Sequence, residues 1–133
     1  MTADVQMLLY SAILAWVMLL IASLLRTHAH RVQGMKIAFG NRDNVPDPTP
    51  LVGRADRAAR NMLENLVLFT AVLAVARFAG TQGDRVDLGS RIFFWSRVAY
   101  FPVYLAGIAY VRTAIWCVSL VGLAMIVAAA VSS

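Results

Sequence analysis

The chain has 133 residues, of which 60% are hydrophobic and 14% charged, with a formal net charge of +5. This apolar excess is more than a soluble domain of such length can hide, and the length suits one domain, residues 1–133, better than two. The composition reads as an all-α integral membrane protein, and its positive charge needs no nucleic acid, only anionic lipid.

Residues 5–25 (VQMLLYSAILAWVMLLIASLL) form an uncharged run that meets the roughly 20 residues a helix needs to cross a hydrocarbon core. Asp4 precedes the run and no small-residue cleavage pattern ends it, so it reads as a retained helix rather than a leader. The connection that follows, from Arg26 to about Pro50, holds His28 and His30 in THAHR. That pair lacks further ligands at a recognised spacing, so both histidines are expected at the interface and no metal site is expected. The prolines of NRDNVPDPTP give a stiff, extended approach to the next helix.

A second span is expected over residues 51–79, with Pro50 and Gly53 at its start and Gly80 after its end. A third is expected over 88–109, beginning after TQGDRVD and kinked at Pro102. The uncharged run at the C-terminal end gives a fourth, over 113–131, and carries the lone Cys117. One cysteine allows no intrachain disulfide, and a thiol in hydrocarbon is expected to pack rather than react. The expected architecture is therefore a four-transmembrane-helix bundle.

Positive charge orients it. The first connection and the entry to the second span hold Arg26, Arg31, Lys36, Arg42, Arg54, Arg57 and Arg60, against Arg77, Arg85 and Arg91 around the next connection. With Arg112 between the third and fourth spans, the first and third connections are expected in the cytoplasm and both termini outside.

Two spans carry ionisable groups at depth, Glu64 in the second and Arg97 in the third. Each costs about 2.5–3.5 kcal/mol on insertion scales, so each is expected to face a partner or a wet cavity. Arg57, Asn61 and Glu64 recur at i, i+4 and i+7, and Arg97, Tyr100 and Tyr104 at i, i+3 and i+7, which puts each set on one helix face. In antiparallel helices, placing Glu64 level with Arg97 also matches Asn61 with Tyr100 and Arg57 with Tyr104. A polar wall with a Glu64–Arg97 ion pair at its floor is the expectation. Arg54, Arg57, Arg60 and Arg97 exceed what one glutamate can pair, and that cation surplus points to an anionic small molecule rather than to helix adhesion alone.

The motif Arg54-x-x-Arg57-Ala58-x-x-Asn61-x-x-Glu64, together with Arg97-x-x-Tyr100-x-x-x-Tyr104 and Arg112 eight positions on, resembles the MAPEG family. These are the membrane-associated proteins of eicosanoid and glutathione metabolism. GNRDNVP and YLAGIAYVRTAIW look especially like bacterial members and imply a bacterial inner membrane. The resemblance implies a homotrimer with glutathione, as cosubstrate, held between subunits near the cytoplasmic face. It implies binding by Arg57, Arg60, Asn61, Glu64, Arg97, Tyr100 and Tyr104, and stabilisation of the glutathione thiolate by a catalytic Arg112.

The implied function is a membrane glutathione transferase of detoxification. Its thiolate attacks apolar electrophiles and, as a second reaction, could reduce lipid hydroperoxides. The runner-up is a non-catalytic trimeric membrane protein that binds glutathione, lipid or another small anion. Tyr100 stands where a prostaglandin synthase of the family has histidine, which argues against that isomerase activity. The apolar substrate is expected to lie against lipid-facing residues such as Leu66, Phe69, Phe101 and Trp116.

Overall fold

The computed structural model describes residues 1–29 and 31–132, all of whose regular structure is helical. Helix α1 spans Ala3–Thr27, α2 Val32–Phe39, α3 Pro50–Phe78, α4 Asp84–Leu105 and α5 Ala109–Val131. Three of them, α1, α3 and α5, are long and apolar enough to cross a membrane. The fourth long helix, α4, carries Asp84, Arg85, Asp87, Arg91 and Arg97, and packs on all three of the others.

The boundaries follow local chemistry. Helix α3 starts where the irregular segment 45–49 ends, at an extended Thr49: Pro50 occupies the first turn, and the Thr49 hydroxyl accepts from the Val52 N–H at 3.4 Å, capping an otherwise orphaned donor. Helices α4 and α5 both begin four residues earlier than expected. Gly83, at φ 122°, lets the chain enter α4, and Asp84 and Asp87 fall in its first turn, where the helix dipole favours acids. At the other end α4 runs through Pro102 and stops at Leu105, with Gly107 at φ 77° turning the chain into α5. Arg112 consequently lies inside the first turn of α5 rather than in a connection. The expectation also missed α2, which interrupts the long first connection; His30 of the histidine pair lies outside the described residues.

Apolar positions at helical spacing form two cores. At the end holding both termini, Met7, Phe69, Leu73, Val86, Phe93 and Ile126 pack together, with the Phe69 and Phe93 rings 4.3 Å apart. At the opposite end, Ala15, Met18 and Ala22 of α1 meet Ala55, Ala58, Ala59 and Met62 of α3, with Tyr100 and Tyr104 from α4. Phe69 is fully buried, so it is a core residue and not the lipid-facing one expected. Leu9, Ile13 and Trp16 on α1, Val67 and Leu68 on α3 and Val118 and Val121 on α5 remain exposed, an apolar area that a bilayer would cover.

The two ends differ in chemistry. At the terminal end, Asp4 is almost fully buried and receives a two-pronged ion pair from Arg77, whose Nε donates to Oδ2 at 2.8 Å and whose Nη2 engages Oδ1. Arg77 Nη2 also bonds the Thr2 hydroxyl, tying the start of α1 to the end of α3. Fork-to-fork pairing of this kind is the strong form of an ion pair. Asp4→Asn should therefore lower thermal stability, by about 1–2 kcal/mol because Arg77 keeps contact with solvent. Adding Arg77→Gln should recover part of that loss; an additive double variant would mean that the pair does not couple the helices.

Candidate functional site

Most of the arginines gather at the other end. Arg97 is the largest fully buried side chain, 1% exposed, and its position on α4 aims it at α3. Its Nη2 donates to Asn61 Oδ1 at 2.7 Å, its Nε approaches Met62 Sδ at 3.5 Å, and its guanidinium lies 4.3 Å from the Tyr100 ring centroid. Amide and ring thus replace part of the water the cation gave up. The remaining nitrogen, Nη1, is buried and has no hydrogen-bond partner among the described residues.

The chain of contacts continues toward the surface. Tyr100 and Tyr104, one turn apart on α4, have ring centroids 5.3 Å apart. The Arg112 guanidinium sits 4.5 Å from the Tyr104 ring centroid. Asn61, Tyr100, Arg112, Thr113 and Trp116 line a cleft of about 290 Å³, built from α3, α4 and the first two turns of α5. Arg112 at a helix N-terminus adds a full charge to the partial positive charge of the helix end, so the cleft suits an anion. Trp116 turns an indole Nε1, buried and unpartnered among the described residues, into this neighbourhood.

Five expected site residues therefore come together: Asn61, Arg97, Tyr100, Tyr104 and Arg112. Three do not. The expected Glu64–Arg97 ion pair is absent, because the bonds from Arg97 go to Asn61 and Met62 and Glu64 is exposed. Met62 belongs to the buried stripe of α3, and Glu64 two residues on points about 200° away from it around the helix. The i, i+4, i+7 rule gave the polar face correctly, but that face turns largely away from α4 and only Asn61, at its edge, reaches across. Arg57 is likewise exposed. Arg54 instead donates through Nε to the Leu105 carbonyl at 2.9 Å, closing the C-terminal end of α4 against α3.

Arg60 lies on the far side of α3, in a second groove of about 420 Å³ shared with Arg26, Arg42, Asp56 and an apolar floor of Leu19, Ala22 and Leu63. Arg42 Nη2 donates to Ser23 Oγ at 3.2 Å there. Thr113 was not expected in the cleft, and Trp116 was expected against lipid and apolar substrate rather than beside Arg112. The signal was present, since both fall within one turn of Arg112, but Trp116 sits in an apolar run and read as lipid-facing. No group of three or more metal-ligating side chains occurs among the described residues.

The fold and cleft define a class: a helical membrane protein with a cationic, aromatic-lined site at one end of its bundle. The family model for the MAPEG family matches residues 7–132, nearly the whole chain, and the chain belongs to that family. Curated proteins and solved structures gave no match.

Proposed function

We propose that the protein is a membrane glutathione transferase that activates the glutathione thiol for attack on apolar electrophiles. The observation that supports it most is Arg97: a buried guanidinium whose Nη1 has no partner among the described residues, bonded to Asn61 and lying over Tyr100, both of which line the cleft with Arg112. A buried donor without an acceptor is costly, and a carboxylate in the cleft would satisfy it. Glutathione brings two carboxylates, an ammonium and a thiol. Arg97, Asn61, Tyr100 and Tyr104 would bind and orient it, and Arg112 would hold the sulfur as thiolate. A free thiol has a pKa of about 8.5, and an adjacent fixed cation lowers it and raises the nucleophile fraction at neutral pH.

In this reading all four long helices cross the membrane, both termini lie outside, and the arginine-rich end faces the cytoplasm of a bacterial cell. Three copies assemble as a homotrimer with glutathione between neighbours. The exposure of Arg57, Arg60 and Glu64 on one chain supports such sharing, because these charges are then available to a site completed across an interface. Glu64 would take the ammonium. Conjugation forms a carbon–sulfur bond with departure of the leaving group. Peroxide reduction breaks the O–O bond: the thiolate takes the terminal oxygen as a sulfenic acid while the lipid leaves as its alcohol, and a second glutathione displaces that oxygen as water and forms the disulfide.

Reconstituted protein mixed with glutathione is expected to give thiolate absorbance in the ultraviolet and to turn over chlorodinitrobenzene with loss of chloride. Binding of glutathione with neither absorbance nor turnover would reject the transferase in favour of the non-catalytic binding protein. Crosslinking that yields only monomers would reject the shared site.

A further inference from the structure

Helix α2 has no counterpart in the work of the cleft. Among the helices it packs only on α1. It begins five residues after Thr27 ends α1, so it starts close to the level at which α1 leaves the apolar core.

Its inner side is fixed. A Cβ at Gly34 would lie 2.1 Å from the His28 carbonyl oxygen and 2.4 Å from that of Thr27, so the backbone of α2 rests directly on the C-terminal end of α1. Only glycine allows that approach. With one side seated, the direction of the other is set. Val32, Met35 and Phe39 occur at i, i+3 and i+7, within about 60° of one another around the helix, and they are 77%, 48% and 87% exposed. Three large apolar side chains are thus held outward on a helix at the membrane boundary. Arg31 and Lys36 flank the stripe and are exposed as well. No aspartate or glutamate occurs between Val5 and Arg42.

We propose that α2 is an interfacial helix. Val32, Met35 and Phe39 enter the boundary between headgroups and acyl chains at the arginine-rich end, while Arg31 and Lys36 engage the phosphates of anionic lipid. Apolar stripe and basic flanks are the two requirements for a helix that lies in this plane. Charge argues for anionic lipid, because the exposed Arg31 and Lys36 stand in a stretch without any acidic residue and complement lipid phosphates. The helix then fixes the height of the first connection, and with it the groove holding Arg26, Arg42 and Arg60.

The full chain reconstituted in bilayers tests this. In a Cys117→Ser background, an environment-sensitive fluorophore is placed at Phe39→Cys and, as control, at Gln33→Cys, which lies to the side of the stripe. A quencher carried on lipid near the headgroup should dim the label at position 39 at least about twofold more than at 33, and aqueous iodide should do the reverse. The Met35→Cys label provides the same reading if the change at position 39 unfolds the protein. Omitting anionic lipid should weaken lipid quenching at position 39; quenching unchanged in neutral lipid would remove Arg31 and Lys36 from the proposal. Iodide access at both stripe positions, or shielding from both quenchers by a covering copy, would overturn it.

Discussion

Arg112→Ala is expected to cut the turnover of chlorodinitrobenzene by about 100-fold or more, while glutathione affinity changes by only a few-fold. The magnitude is that of deleting one preorganised charge that acts where negative charge is held in the reacting state. The separation of the two effects follows from position. Arg112 lines the cleft and lies over Tyr104, while Arg97 is buried, outside the cleft lining, and bonded to Asn61. Loss of Arg112 should remove the thiolate absorbance at neutral pH and restore it only as pH rises toward about 8.5, the ordinary thiol value. Arg112→Lys, which keeps charge but not the planar group over the ring, should retain part of the rate. Equal losses of binding and turnover, with absorbance intact, would show that Arg112 only anchors the ligand.

Gly122→Val is expected to destabilise the bundle by about 3 kcal/mol and to lower its melting temperature in detergent by roughly 10 °C. Helices α4 and α5 share the most extensive helix contact in the molecule, and two glycines make it possible. A Cβ at Gly122 would meet the Gly89 carbonyl oxygen at 2.6 Å and the Phe93 nitrogen at 2.9 Å, while one at Gly89 would meet the Gly122 oxygen at 2.7 Å. These neighbours are backbone and cannot step aside, as at other close crossings of membrane helices. Ala124→Val on the exposed side of α5 is the control and should leave the melting temperature unchanged. Because Tyr104 lies on α4 and Arg112 on α5, the packing of these two helices bears on the distance between them. Gly122→Ala should consequently slow turnover before it unfolds the protein, and a variant with full rate and wild-type melting would show that the helices part without cost.

What was legible in the sequence was periodicity and charge balance. Uncharged runs gave α1 and α5, proline and glycine gave the limits of α3, and the two polar motifs gave Asn61, Arg97, Tyr100 and Tyr104, which do converge; Arg112 joined them only through the family resemblance. The failures at the site have one origin, since spacing tells which residues share a face and not where that face points. Arg57 and Glu64 are on the face that holds Asn61, yet the alanine and methionine stripe beside them decides which side of α3 is buried. The starts of α4 and α5 were lost because charge was read as connection, whereas Asp84, Asp87 and Arg112 occupy first turns. Helix α2 was hidden by brevity, having eight residues and no long apolar run.

The burial of Arg97 also bears on how the protein is made. Helix α4 is the one long helix whose composition does not commend it to lipid, and a lone arginine at such depth costs about 2.5–3.5 kcal/mol. The groups that receive it, Asn61 and Met62, lie on the helix synthesised just before. On the proposed topology, membrane integration of α4 is expected to depend on α3, which supplies Asn61 and Met62, so that the two helices enter as a hairpin and the cleft is assembled during biogenesis.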